Sequence, residues 1–468
     1  MTKSSFPRGY VLGLEKLVRP DGFIEGPILP NFFVDSLCKT DASETEGGKS
    51  FVIVIGTAET LVGESHRVAD LLLQKLAISE DLFFEALDTL VGRFVVIYRG
   101  ASSIRVVGDA TAMRPVFYAE QGGVIASHSE LIVSSIGEQE SFSLLPFSSS
   151  FPANFTPYKG VRVLLPNFYL ELSTGRISRF WPRQPITSMS VEKAAHEVLE
   201  KSVEAVRLLA MRRNSWLALT AGLDSRVTLA AFLAAGVDFQ TFTYGKNADT
   251  RMDRLVASHL ARRFGLKHSE IPTERVVEDL QKRLERAHYW NHHRSAVGPL
   301  SRAVGDDNAA IFSANILEIG QSNYRKLEWR GGLEEPRAAS QMAEVYYRKL
   351  SRKAKGSVET YGRTKYLNEV SLLFQQMIDE TGGPSRYLDP FDDYYWTFRM
   401  GTWHGPSSLE KDFYGEPLNP FNARCIIEPL ISVSKLDQYD LSVFMRLITL
   451  ADNRLLDVPI NPSDLSWL

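Results

Sequence analysis

At 468 residues the chain is too long for one hydrophobic core and is expected to divide into two domains. Charged residues (23%) and hydrophobic ones (44%) sit at ordinary globular values, which excludes long disorder, and a formal net charge of −3 excludes the strongly basic character of a general nucleic-acid binder. No apolar run reaches the length of a membrane span, and Met1-Thr2-Lys3-Ser4-Ser5 lacks the apolar segment of a signal peptide, so a cytoplasmic protein that meets no membrane is expected.

Residues 8–182 read as β-rich with a few helices, within a first domain over 1–185. Tyr10 to Leu12 and Phe51 to Ile55 are strand-like apolar runs. His66 to Leu76 has helical periodicity, with Val68, Leu71, Leu72 and Leu76 on one side. Short strands follow at Arg93 to Tyr98, Ser103 to Val107, Val116 to Tyr118 and Gly123 to Ala126, punctuated by Gly100, Gly108-Asp109 and Gly122-Gly123. Phe168 to Leu172 and Ile177 to Trp181 form a last hairpin around Ser173-Thr174-Gly175, and Gln184 to Ser188 reads as a linker. Cys38 and Cys425, far apart in sequence, read as buried thiols rather than a disulfide or a metal pair.

From Val191 the pattern changes to alternating strands and helices, within a second domain over 191–468. An amphipathic helix, Val191 to Leu209, leads into an apolar strand at Trp216 to Leu219. Thr220-Ala221-Gly222 makes a turn, and Leu223-Asp224-Ser225 opens a helix that runs to Gly236. Strand, small-residue turn and helix N-terminus together make an anion site, because the first helical turn has unpaired N–H groups and a partial positive charge. Asp224 beside such a cradle reads as a holder of Mg²⁺, since two anions need a cation between them. Further strands are expected at Phe239 to Tyr244, Lys267 to Ile271 and Ala309 to Ser313, with helices at Arg251 to Phe264 and Val276 to Trp290. This alternation implies a doubly wound parallel sheet whose strand tips Thr220 to Asp224, Tyr244-Gly245 and Ser313 to Glu318 converge on a ligand.

Residues 335–466 read as a helical annex, clearest at Ala338 to Leu350 and Arg363 to Thr381. The aromatic stretch Tyr387 to Trp403 reads as core, with pocket lining the alternative. His292-His293 lacks a second ligand set at zinc spacing and reads as surface or core. Arg212-Arg213 and Arg262-Arg263 read as solvated helix ends.

Several phrases resemble the asparagine synthetase family. In the first half they are Val107-Gly108-Asp109, Met113 to Tyr118, Ala126 to Leu131, and Leu165 to Tyr169 ending at Phe180-Trp181. In the second half Thr220-Ala221-Gly222-Leu223-Asp224-Ser225 is similar to the family's Ser-Gly-Gly-x-Asp-Ser pyrophosphate loop, with Ala221 in place of the first glycine. Ser313-Ala314-Asn315-Ile316-Leu317-Glu318-Ile319 resembles a later Ser-Gly-Glu-Gly-x-Asp-Glu loop, and Asn419 to Arg424 followed by Ile427 to Leu430 resembles a late Pro-Phe-Leu-Asp segment in a different local order. The resemblance implies an Ntn-hydrolase-like β-sandwich flanked by helices, followed by an adenine nucleotide α-hydrolase-like domain of α/β type with the annex.

The family's glutaminase nucleophile is a cysteine directly after the initiator methionine, where a thiolate is reactive near neutral pH. This chain has Thr2 there, ahead of an extension, so the first domain is expected to be inactive. The implied chemistry is that of an ATP- and Mg²⁺-dependent carbon–nitrogen ligase: a carboxylate attacks the α-phosphate, pyrophosphate leaves, and an amine displaces AMP. β-Lactam synthetases and lasso-peptide cyclases are relatives of this kind. The resemblance implies Leu219, Thr220, Gly222, Asp224, Ser225, Tyr244, Gly245 and Ser313 at the nucleotide, Asp224 and Glu318 at the metal, and Asn315 near the substrate as a catalytic candidate. Related enzymes use a lysine beyond the late segment; the last one here is Lys435, and Arg446 and Arg454 are the cations that follow as catalytic candidates. The partner is expected to be a small-molecule or peptide carboxylate and amine, with a homo-oligomer or a biosynthetic partner protein left open. A nucleotide-binding regulator without ligase chemistry, and glutamine-dependent asparagine synthesis, are the alternatives.

Overall fold

The computed structural model describes residues 4–63, 67–100, 103–137, 141–142, 145–290, 293–329 and 332–464. Thr2, His66 and His292, named above, lie outside them. The first half carries β1 (Tyr10–Gly13), β2 (Phe23–Glu25), β3 (Phe32–Asp35), β4 (Thr40–Glu44), β5 (Phe51–Thr60), β6 (Leu90–Arg99), β7 (Ile104–Gly108), β8 (Phe117–Ala119), β9 (Val124–Ala126), β10 (Val161–Val163), β11 (Phe168–Glu171) and β12 (Ile177–Arg179). They form two antiparallel sheets, ordered β10-β8-β9-β1-β3-β2 and β12-β11-β7-β6-β5-β4. Strand alternation divides the apolar residues of β1: Tyr10 and Leu12 face a core shared with the second sheet, whereas Val11 faces a smaller one with Phe6 and Leu131. Helices α1 (Val68–Ile78) and α2 (Glu80–Asp88) join that larger core, and α3 (Ser129–Ile136) packs on β8 and β9.

The second half holds a parallel sheet, ordered β15-β14-β13-β16-β17, built from β13 (Ser215–Ala218), β14 (Gln240–Tyr244), β15 (His268–Ile271), β16 (Ala310–Phe312) and β17 (Glu416–Leu418). Its helices are α4 (Val191–Ala210), α5 (Leu223–Ala235), α6 (Arg251–Arg263), α7 (Glu278–Ala287) and α8 (Arg294–Val304). The fold is therefore mixed α/β: two antiparallel sheets, one parallel sheet, and helices around them. Among the described residues no helix is long and apolar enough to cross a membrane.

Several expectations are corrected. The helix expected over 276–290 is shorter, and α8 follows it with Pro299 inside, a residue that ordinarily argues against a helix. The annex is not purely helical, since it returns β17 to the edge of the parallel sheet. Arg213 is not a solvated helix end: its guanidinium pairs with the Glu416 carboxylate of β17. The aromatic stretch is core, as expected: Tyr394–His404 forms a π-helix whose Tyr394, Tyr395, Trp396 and Phe398 are buried in the main core. Cys38 and Cys425 are free thiols, as expected, although Cys425 is only half-buried; burial pushes both up to about 11. The main core runs without a break from the second sheet through α4 and α5 into the annex.

Candidate active site

The central strand β13 lies between β14 and β16, both parallel to it, so the carboxyl ends of all three point the same way. Beyond Ala218 the chain leaves the sheet after one last bond, Leu219 N donating to Phe242 O at 2.9 Å. The turn into α5 is held by its own side chains. Thr220 Oγ1 and Ser225 Oγ lie 3.1 Å apart, and the Thr220 amide donates to Ser225 Oγ at 3.2 Å. The Ala221 amide donates to Asp253 Oδ1 at 2.9 Å, tying the turn to α6. Ala221 does not adopt a positive φ, so the glycine-to-alanine departure carries no backbone strain here.

Gly222 is the N-cap of α5, with φ −74° and no side chain to cap the helix. An added Cβ would meet only Thr220 Oγ1 at 3.5 Å and Asn461 Oδ1 at 3.8 Å. Its importance is thus open space above the helix N-terminus, where the first N–H groups have no intrahelical partner.

These groups face a cavity of about 440 Å³ lined by Thr220, Gly222, Asp224, Ser225, Ser313, Asn315, Glu318, Gln321 and Asn461, among others. Asp224 comes from the first turn of α5, and Glu318 from the turn after β16. Burial first, and then the Glu318 charge, push the Asp224 carboxyl up to about 7. Gln321 Nε2 donates to Asp224 Oδ1, and the Tyr395 hydroxyl donates to Glu318 Oε2. Two converging carboxylates beside uncapped helix N–H groups fit a hard divalent cation shared with a phosphate chain.

A second compartment of about 270 Å³ shares Ala218, Thr220, Ser313 and Asn315 with the first. Leu219, Phe242, Tyr244, Val297, Ile311 and Tyr414 make it largely apolar, with Asp253, His293, Glu410 and Lys411 on its wall. His293 packs edge-on against Tyr244 at 5.4 Å, so this histidine does face the cavity; burial holds it down to about 4. Gly245 lies just beyond the wall. It has φ 140°, and an added Cβ would sit 2.2 Å from Thr250 Oγ1, so the turn itself demands glycine.

The structure therefore brings Leu219, Thr220, Gly222, Asp224, Ser225, Tyr244, Ser313, Asn315 and Glu318 together. It does not bring Arg446 and Arg454 with them. Arg446 is forked onto Glu192 at the start of α4, at 2.6 and 2.8 Å, and Arg454 is paired with Asp452 on the surface. Lys435 is also engaged elsewhere, with Asp392. Asn461, Gln321, Tyr395 and Lys411 reach the site without any local pattern that would have pointed to them.

No family model matches the chain, and no curated protein matches it. Among solved structures, glutamine phosphoribosylpyrophosphate amidotransferase from B. subtilis complexed with ADP and GMP aligns at 11% identity and a TM-score of 0.23, over 70% of this chain and 74% of that one. An allosteric regulatory enzyme of purine biosynthesis aligns at 10% identity and a TM-score of 0.20, over 61% and 59%. Glutamine-dependent NAD+ synthetase from Acinetobacter baumannii in complex with ADP aligns at 12% identity and a TM-score of 0.22, over 54% and 50%. The chain thus spans less than two thirds of the last two, and at these scores the likeness carries no argument.

Proposed function

We propose that this chain is an ATP-dependent amide ligase of the asparagine-synthetase-like kind, without glutamine hydrolysis. In this reading a substrate carboxylate oxygen attacks the α-phosphorus, the bond to pyrophosphate breaks, and an amine then attacks the acyl carbon as AMP departs. The observation that carries it is the uncapped N-terminus of α5 opening, with Asp224 and Glu318, into a two-compartment cavity at the carboxyl ends of a parallel sheet. The acidic compartment suits pyrophosphate: Thr220, Gly222 and Ser225 offer a hydroxyl-and-backbone cradle. Asp224 and Glu318 would hold Mg²⁺, which supplies charge neutralisation for the leaving group. The apolar compartment suits the nucleoside, against Leu219 and Tyr244. The antiparallel half reads as an Ntn-hydrolase-like domain with a structural part in this chemistry: its segment Phe6 to Gly9 is buried, and the Arg8 amide donates to Asp35 Oδ1 at 2.9 Å.

The test is release of AMP and pyrophosphate from ATP and Mg²⁺ across a panel of carboxylates paired with amines. Activity is expected with one class and a loss of at least about a hundredfold in Asp224→Ala, the scale of removing a charge-stabilising group. Unchanged activity in that variant would falsify the site. A second reading, a nucleotide-binding regulator, is favoured by one observation: both carboxylates already accept hydrogen bonds, from Gln321 and Tyr395. ATP binding without AMP formation across the whole panel supports that reading instead.

A further inference from the structure

Among the described residues that line it, the acidic compartment has no lysine or arginine of its own. Among the described residues that line the two compartments, Lys411 is the lysine or arginine present. Lys326 acts on Asp224 electrostatically from outside that wall. Lys411 is placed where the compartments meet: its Nζ donates to Ser313 Oγ at 3.2 Å, and Ser313 belongs to the walls of both. If phosphates occupy one compartment and a nucleoside the other, the α-phosphate must cross this junction.

The lysine is held there by its neighbours in sequence. Glu410 accepts from the His293 amide at 2.9 Å and lies 3.5 Å from Arg294 Nε. Asp412 is forked by Arg93 of β6, at 2.6 and 2.8 Å, and its carbonyl accepts from Arg8 at 3.0 Å. Two clamped acidic residues on either side leave Lys411 little freedom except along its own side chain. The antiparallel half thereby supplies one of the two anchors, that of Asp412, for a cation in the parallel-sheet cavity.

Resting on the adenylating reading above, we propose that the Lys411 ammonium binds the α-phosphate of the nucleotide and takes the charge that develops on its non-bridging oxygens. The ammonium donates hydrogen bonds and keeps its proton throughout. The new carboxylate-oxygen-to-phosphorus bond forms as the phosphorus–pyrophosphate bond breaks, and pyrophosphate leaves with the electron pair. Lys411 would thus do what the terminal cations Arg446 and Arg454, paired elsewhere, do not.

Calorimetric titration of adenosine and of AMP, without any acceptor substrate, tests this on the full chain. The unmodified protein is expected to bind AMP at least about tenfold more tightly than adenosine, as a charge-assisted hydrogen bond allows. Lys411→Met is expected to abolish that preference while adenosine affinity stays within about threefold. Lys411→Arg, which keeps the charge, is expected to retain most of the preference, and Lys411→Gln gives the same readout should the Met variant fail to fold. A neutral variant that keeps the full AMP preference overturns the assignment. So does one in which both ligands weaken by the same factor, since the lysine would then serve shape alone. Failure of the unmodified protein to bind either ligand is a different result: it removes the nucleotide reading of the cavity, and this proposal with it.

Discussion

Asp224 is the residue on which the electrostatics of the cavity turn. Its carboxyl is pushed up to about 7 by burial and by Glu318, far above the roughly 4 of an unfolded aspartate. Between those values the folded chain holds a proton that the unfolded chain has released. The associated stability is therefore fully present below about pH 4 and is lost as pH rises through about 7. Asp224→Asn cannot titrate and should lack this loss. The melting temperature of the unmodified protein is expected to fall relative to that variant from pH 4 to 7. At pH 8, Mg²⁺ should raise it again, because the cation binds the deprotonated pair. Parallel pH profiles, or equal Mg²⁺ stabilisation of the Asn variant, would contradict this account. At this scale the sequence was informative where chemistry is local: Thr220, Gly222, Asp224 and Ser225 sit within one turn, and their spacing carries their geometry. It was uninformative about Arg446 and Arg454, because a charge in a sequence does not show which carboxylate will neutralise it. Glu192 and Asp452 do so here.

Among the elements, α5 carries more than its N-terminus. Arg226, one turn in and fully buried, donates to the carbonyls of Leu455, Val458 and Pro459, two of these at 3.1 and 3.0 Å. It thereby pins the chain just before Asn461, whose amide donates to Ala221 O at 3.0 Å and whose side chain lines the acidic compartment. Burial draws the guanidinium down to about 10, which still leaves it charged at neutral pH. Arg226→Met keeps the apolar stem but leaves three carbonyls without a donor, so a loss of about 3 kcal/mol or more is expected in urea unfolding. Hydrogen exchange at residues 455–461 should rise with it. Protection unchanged in that segment would show that packing of Leu455 and Val458 suffices. The helix itself was readable from its apolar run and its closing Gly236, but the clamp was not, since its two sides lie 229 to 233 positions apart. For the same reason β17 is not legible in the sequence: Glu-Pro-Leu is too short to announce a strand, and only the edge of β16 makes it one.

Across the whole molecule, the two halves are joined by buried ion pairs rather than by apolar surface alone. Arg93 and Asp412 are each 1% exposed in their side chains and meet in a two-pronged bond. Beside them Thr57 Oγ1 donates to Glu416 Oε1 at 2.6 Å, so β5 and β6 of the second sheet grip the segment that runs from Lys411 into β17. Removing one member of such a pair strands the other charge in the interior, whereas replacing both by apolar groups is often close to neutral. Arg93→Met alone is therefore expected to cost about 3–5 kcal/mol, and Arg93→Met with Asp412→Leu to recover most of it. The two variants should part company in ligand binding. The double variant restores the fold but not the anchor of Lys411, so its preference for AMP over adenosine should stay low while adenosine binds normally. Urea midpoints and calorimetry on the same four proteins, the unmodified one, both single variants and the double, separate these effects. A double variant as unstable as Arg93→Met would mean that Arg8, also within reach of Asp412, rather than the stranded charge sets the cost. A double variant with full AMP preference would mean that Glu410 and Ser313 hold Lys411 unaided, and that the antiparallel half contributes stability to the cavity but not its charge.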